Sequence, residues 1–587
     1  MDRNTVIRWI VIAAAILVFW KWGLPLVTGK SSAKVQAIPD EIYANAPGFV
    51  PDLLDPLTGE QKSPWQPPEG ELCTVRGNRF EAVLSTRGAA IKHLRLTEAR
   101  YATSEAGDLS TTPDHERWRS LRMLFRTDSL TDQVKDQVKY DRFLWVLSRR
   151  EDRLCEFSYQ DDDVRILKKI AAGERPYELT VETTLTNLAL EPRRHRTVIE
   201  VFAYHRNEDM KGSFGRQSPF VTELSCARAG DVTRMGSDDF KEGWFTQTGV
   251  DRYVSVSNQY FAQALVPLDL AAATPDCSIL SEHWYAAGQG PDDDLAGRVF
   301  HARMTYPKRE LGPKESATYR QVAYFGPKER DLLAAAAGGK QGVGDLINLG
   351  TFTVVAKVLV GVLTWIHGHL TFGNWGIAII VMTFGLRLCL FPLTWKSIQT
   401  TISMRRLKPE VDALNVKFAD DAQAKNLAMM ELWRKHKVNP FGGCLPMLVQ
   451  MPVWFAMYTT LQTAVEMYHT KFLWFADLSA PDKYYVMPLV LGAAMIVQQR
   501  IVPQQGMDPM QQKMMTWMLP IIFTVMMLFL PAALGVYMLT NSVLGIAQQL
   551  AVEKFAPQVP RGGDIVVKEA KPTGEKRSAF GKGKARV

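Results

Sequence analysis

Met514 to Val552 is a run of 39 residues without a charge, about twice the roughly 20 that one helix needs to cross a bilayer. Pro531 interrupts the run near its middle, so it reads as two crossings joined by a tight turn at Leu530 to Ala533. Bulk figures obscure this, because a mean hydropathy of −0.10 with 22% charged residues looks soluble. The average hides two parts. Residues 31 to 345 are polar and mixed, with no apolar run long enough to span, whereas from 352 onward long uncharged runs dominate. A chain of 587 residues also exceeds a single core. The composition is that of an integral membrane protein with one large soluble domain.

Six crossings are expected: Val6–Gly23, Trp375–Trp395, Leu445–Met467, Tyr484–Gln499, Met514–Leu530 and Ala533–Val552. The first reads as an uncleaved anchor rather than a secretory signal, since bulky Phe19, Trp20 and Trp22 stand where cleavage needs small residues. Orientation follows from lysine and arginine in the short loops. The segment 396–440 and the tail after Val552 hold nine basic residues each, against only Lys471 and Lys483 in the loop after the third crossing. Both basic segments therefore face the cytoplasm, which puts residues 24–374 outside and both termini inside.

One charge stands out within these crossings. Arg387 lies roughly 18 Å from Trp375 and roughly 12 Å from Trp395 along an apolar helix. An arginine at that depth costs roughly 2.5–3.5 kcal/mol on insertion scales. Apart from Glu466, next to the last residue of the third, the proposed crossings contain no acid, but they carry neutral polar groups such as Thr383, Gln450, Thr524, Asn541, Gln548 and Gln549. A proton-coupled transporter needs a titratable group within its bundle, and the interior of these crossings has no Asp, Glu or His, Glu466 standing at the very end of the third. An arginine among neutral polar groups suits a hydrated groove that receives an acidic segment from something else.

Residues 71–344 read as an antiparallel β-sandwich, from runs such as Tyr177–Thr186, Arg196–Tyr204 and Tyr253–Pro267 bounded by polar loops. A Pro-rich linker, 24–70, joins it to the anchor, 1–23. No GxSxG, HExxH or phosphate loop occurs, so the sandwich offers no catalytic or nucleotide chemistry and is most simply a spacer or docking module. Its cysteines, Cys73, Cys155, Cys226 and Cys277, allow three pairings, and no CxxC spacing points to a metal. Cys389 and Cys444 are expected to pack among helices. Residues 345–372 read as an interfacial amphipathic helix, in which His367 and His369 are two apart and make a poor metal pair. Met404, Leu407, Val411, Leu414 and Phe418 follow the seam spacing of a helix seeking a partner, so 396–438 reads as a helical hairpin restarted at Pro409. The tail, 553–587, carries its basic residues either as positive-inside signal or as a contact for ribosomal RNA.

Several stretches resemble the YidC family of membrane protein insertases: NWG at 374–376, Arg387, FPLT at 391–394, NPFGGCLPMLVQMP at 439–452, DLSAPDKYY at 477–485 and DPMQQKMM at 508–515. STRGAAI at 85–91 and YFGPK ending at Lys328 extend the resemblance to the sandwich. It implies a multi-domain protein of the bacterial inner membrane. Five helices within 373–552 would form the insertase core, with the anchor outside it and the sandwich in the periplasm. It implies a groove open to cytoplasm and lipid, lined by Arg387, Thr383, Gln450, Met451, Pro452, Trp454 and Tyr537. Trp454 stands where other members often have Phe, and Met538 where a second tyrosine is common. The implied partners are nascent membrane proteins, the Sec translocon, lipids and, through the tail and hairpin, the ribosome. No cofactor, metal, DNA or enzymatic turnover is implied. The rival classes are a translocon-bound assembly factor without activity of its own and a solute channel or transporter.

Overall fold

The computed structural model describes residues 70–102, 108–110, 118–129, 138–139, 145–211, 218–240, 243–270, 273–284, 296–350, 352–418, 421–436, 445–501 and 514–555. The expected anchor Val6–Gly23, the linker up to residue 69, Cys444 and the tail from 556 lie outside the described residues.

Period-two burial builds the sheets. In Glu178–Asn187 the side chains of Leu179, Val181, Thr183 and Leu185 are buried while those between them are half-exposed. This strand sits inside a nine-stranded sheet ordered Asp231–Gly236, Glu223–Arg228, Tyr253–Ser257, Phe261–Pro267, Ser316–Pro327, Glu178–Asn187, Val164–Ala172, Leu154–Gln160 and Val146–Glu151. A seven-stranded sheet centres on Arg193–Arg206, paired antiparallel with Gly297–Thr305 on one side and Arg122–Ser129 on the other. A three-stranded sheet, Leu72–Gly77, Phe80–Ser85 and Ala90–Leu96, completes the set. The run Tyr253–Pro267 is a hairpin rather than one strand, because Asn258 Oδ1 accepts the N–H groups of Tyr260 and Phe261 at 3.0 and 2.8 Å and turns the chain.

The sheets enclose one apolar core that includes Val181, Ile199, Val201, Val254, Leu265, Phe300 and Phe325. Glu200 sits fully buried within it, accepting from Arg122 Nε at 2.8 Å and from Arg303 Nε. Burial alone would raise its carboxyl, but the two guanidiniums outweigh burial and hold it below its ordinary range. Of the three possible cysteine pairings, one forms. Cys73–Cys155 joins the three-stranded sheet to the nine-stranded one, and Cys226–Cys277 joins the nine-stranded sheet to the seven-stranded one. Each disulfide therefore staples two sheets.

From Thr353 onward the described chain is mostly helical. Thr353–His369, Trp375–Cys389, Leu445–Thr463, Val486–Ile501, Leu519–Met527 and Ala532–Phe555 pack around a second apolar cluster with Met382, Met457, Leu491 and Leu534 at its centre. Within 345–372, expected as a single helix, only Thr353–His369 is one. It buries Ala356, Leu359, Leu363 and Ile366 and exposes Val354, Val358, Val362 and Trp365, so both of its long faces are apolar. His367 stacks on Trp375 at 3.7 Å and His369 on Trp365 at 5.3 Å.

The helix limits differ from the expected crossings, and proline is the main reason. Trp375–Trp395 is not one helix, since Trp375–Cys389 and Phe391–Met404 meet at a 64° bend around Leu390. Pro392 has no N–H for the carbonyl of Leu388, which opens the ladder at that point. Met514–Leu530 is a π-helical turn, Met514–Met518, followed by Leu519–Met527, with Pro520 at the junction. The Leu445 helix ends at Thr463, and Val465–Met467 is a separate 3₁₀ turn. The fourth begins at Val486, where Asp482 Oδ2 accepts from Met487 N at 2.7 Å. No single described helix is long and apolar enough to cross a membrane alone, whereas the bent pair is, by length and composition. Lys408–Lys417 and Ala422–Lys435 pack on one another, with Pro409 in the first turn and Asp421 capping the second. Cys389, expected to pack, is exposed.

Candidate functional site

Arg387 occupies the last turn of the Trp375–Cys389 helix, which starts where Asn374 Oδ1 accepts from Ile377 N at 3.0 Å. Gly376 follows because a Cβ there would lie 2.2 Å from the ring of Phe472, so only glycine admits that ring. The NWG stretch is thus a cap, a stacked tryptophan and a close approach. It fixes the helix that presents the arginine.

The guanidinium is held by neutral acceptors. Nε donates to Asn541 Oδ1 at 2.8 Å, Nη2 to Asn541 O at 2.8 Å and Nη1 to Gln548 Oε1 at 3.2 Å. Gln548 Nε2 donates back to the carbonyl of Arg387 at 3.3 Å. Gln450 Nε2 reaches the same Asn541 Oδ1 at 3.1 Å, which ties a third helix into the cluster. Three of the five guanidinium N–H groups are so engaged, and one on each terminal nitrogen has no acceptor among the described residues. No described carboxylate pairs with Arg387; the charge is oriented without being neutralised.

Glycine makes room for it. A Cβ on Gly545 would stand 3.1 Å from both Arg387 Nη2 and Gln498 Nε2. Tyr537, Asn541, Gly545 and Gln548 recur at the spacing of one helical face, so the Ala532–Phe555 helix turns one stripe toward the arginine.

Among the expected site residues, the structure brings Arg387 and Gln450 together through Asn541. Thr383 is buried one turn before Arg387, its hydroxyl donating to Ile379 O at 2.6 Å. Tyr537 is buried one turn before Asn541. Met451 is 42% exposed, and half-buried Trp454 stacks on Tyr458 at 5.9 Å. Pro452 lies inside the Leu445–Thr463 helix. Met451 and Trp454 form an apolar, partly open surface next to the polar cluster on the same helix, and make no hydrogen bond to it.

Residues 72–362 match the family described as YidC periplasmic domain, and residues 365–559 the family described as 60Kd inner membrane protein. The membrane protein insertase YidC of Anaeromyxobacter dehalogenans (strain 2CP-C) is 32% identical over 576 residues, covering 95% of this chain and 98% of its own. The chain belongs to the YidC family. A second member, the insertase of Geobacter metallireducens, is 31% identical over 543 residues, or 90% of each chain. A looser likeness is to the crystal structure of an active YidC insertase with its first transmembrane domain resolved, at 17% identity and a TM-score of 0.34 over 83% of this chain and 95% of that one.

Two residues that orient the arginine in this YidC-family chain, Asn541 and Gln548, were not among the site residues expected from sequence. A signal for them was present. Both are polar, sit seven apart in the uncharged run that ends at Val552, and fall on the face of Tyr537.

Proposed function

We propose that this chain inserts nascent membrane proteins into the bacterial inner membrane through a groove, open to the cytoplasm and to lipid, in which Arg387 receives acidic residues of the substrate. The observation that carries this reading is the half-held guanidinium: oriented by Asn541 and Gln548, with a donor left on each terminal nitrogen. Two such donors are what a carboxylate takes from an arginine.

A polar tail faces a steep desolvation cost across roughly 30 Å of hydrocarbon. A polar pocket part-way across shortens that path, and the charge of Arg387 draws the tail into it. The apolar substrate helix then leaves sideways past Met451 and Trp454 into lipid, driven by hydrophobic transfer. No nucleotide, metal or covalent step enters this scheme. Exposed apolar stripes support the lipid contact: Ile377, Ile380, Phe384 and Leu388 on one helix, Leu489, Val490 and Val497 on another.

In this reading the helices, together with the segment Val6–Gly23, make six crossings with both termini in the cytoplasm and the sandwich in the periplasm. The Lys408–Lys417 and Ala422–Lys435 hairpin then lies at the cytoplasmic mouth, where nascent chains arrive from the ribosome or the Sec translocon. The test is charge-specific. Arg387→Glu should depress insertion of acidic-tailed substrates more than that of neutral-tailed ones in reconstituted vesicles, and an equal loss for both would mark structural damage instead.

A further inference from the structure

The outer end of the groove-bearing helix does not run free. It is built into the sandwich. Leu445–Thr463 carries Gln450, Met451 and Trp454, and immediately beyond it Val465 is fully buried in the same apolar cluster as the sandwich core. Tyr468 follows and is boxed by three rings of the sandwich. It stacks on Tyr101 at 6.1 Å, tilts against Tyr260 at 5.2 Å and meets Phe261 edge-on at 5.8 Å. Between them, Glu466 pairs with Arg330 at 2.9 Å, with the two side chains only 15% and 17% exposed. Arg100 Nη1 donates to the carbonyl of Glu466 at 3.3 Å, and its Nη2 pairs with Glu329 at 2.8 Å. Gln259 Nε2 donates to the carbonyl of Gln462, and His469 Nδ1 lies 3.1 Å from the carbonyl of Arg100.

Between Trp454 and Tyr468 the chain has no glycine or proline, and Pro452 is the one helix-breaking residue between Gln450 and this joint. Gln450 is thirteen residues from Thr463, roughly 20 Å of helix. A second strap runs in parallel: Arg252 pairs with Asp345 at 2.6 Å, and Asp345 with Lys357 at 3.6 Å. Lys357 belongs to Thr353–His369, which packs on the same groove helix.

We propose that the sandwich is a positioning device for the insertase core: it clamps the outer end of Leu445–Thr463 at the Val465–Tyr468 joint and thereby sets where Gln450, Met451 and Trp454 stand relative to Arg387. Tyr468 is the central positioning residue and Glu466–Arg330 its electrostatic lock. This gives the sandwich a mechanical role rather than that of a spacer, and it rests on the groove reading above.

The test uses the full chain in lipid nanodiscs for distances and in liposomes for insertion, with Cys389 and Cys444 replaced by serine. Spin labels go at Leu190→Cys, an exposed sandwich position, and Val449→Cys, on the groove helix. Otherwise native protein should give one narrow distance. Tyr468→Ala should broaden it and slow insertion roughly 2- to 30-fold, the span expected for coupling residues. Tyr468→Phe, which keeps the ring, should restore both. Arg330→Glu and Glu466→Arg should each broaden the distance, and the two combined should narrow it again. An unchanged distance in Tyr468→Ala overturns the proposal, as does a broadened distance with undiminished insertion. If native protein fails to insert at all, the groove reading falls, and the distances alone still decide whether the joint clamps the helix.

Discussion

Asn541→Ala isolates the geometry on which the proposed role of Arg387 rests. The substitution removes Oδ1, which accepts from Arg387 Nε at 2.8 Å and from Gln450 Nε2 at 3.1 Å. Two of the three acceptors that orient the guanidinium remain, the Asn541 carbonyl and Gln548 Oε1. A hydrogen bond to a charged group contributes about 1.5–3 kcal/mol. At about 2 kcal/mol, and with each 1.4 kcal/mol a factor of ten, the correctly aimed arginine loses roughly 30-fold in population. Insertion of an acidic-tailed substrate into liposomes should therefore slow by roughly 10- to 30-fold, with neutral-tailed substrates affected far less. Asn541→Asp should be worse for acidic tails, since an internal carboxylate would take the donors meant for substrate. Wild-type rates in Asn541→Ala, beside a defective Arg387→Ala, would refute the claim that orientation matters. The same refutation would follow if Asn541→Ala slowed neutral-tailed substrates equally.

Gly545→Leu places a side chain where even a Cβ lies 3.1 Å from Arg387 Nη2; it should reduce insertion without unfolding the chain, checked by crosslinking yield between substrate tail and groove. The Cys226–Cys277 disulfide closes a loop of 51 residues across two sheets, worth about 4 kcal/mol in the chain-entropy estimate. Replacing both by serine should lower the sandwich's denaturant midpoint accordingly. His195 is buried with Nε2 2.8 Å from Tyr319 Oη, and burial pushes its imidazole down to about 4. The unfolded chain, with an imidazole near 6.5, takes up the proton first, so stability falls as the pH drops from about 6.5 to about 4, by up to ~3 kcal/mol. His195→Gln should flatten that slope in hydrogen exchange of the Arg193–Arg206 amides.

The uncharged runs announce a helical bundle, because residues that must avoid water leave no other pattern. Helix limits were less legible: the bend at Leu390 depends on Pro392, whose cost a bilayer-length apolar run conceals. The sandwich was readable as strands from its alternation, but not the hairpin break at Asn258, where a single side chain turns the backbone. Arg387 was legible as an anomaly. Its holders Asn541 and Gln548 lie 154 and 161 residues away, and only the packed bundle brings them to it. The joint at Tyr468 was hidden for the same reason, since Tyr101, Tyr260 and Phe261 come from distant parts of the chain. Cysteine pairing was undetermined because counting cysteines leaves every pairing open; the sheets choose it.

The central claim is that this chain alone moves a polar tail across the membrane by way of Arg387. The most direct measurement reconstitutes purified protein into liposomes and scores protease protection of a small membrane protein with an acidic tail, beside Arg387→Ala. Protection that depends on Arg387 is the predicted result. Protection no greater than in protein-free liposomes, or equal in both proteins, would contradict it.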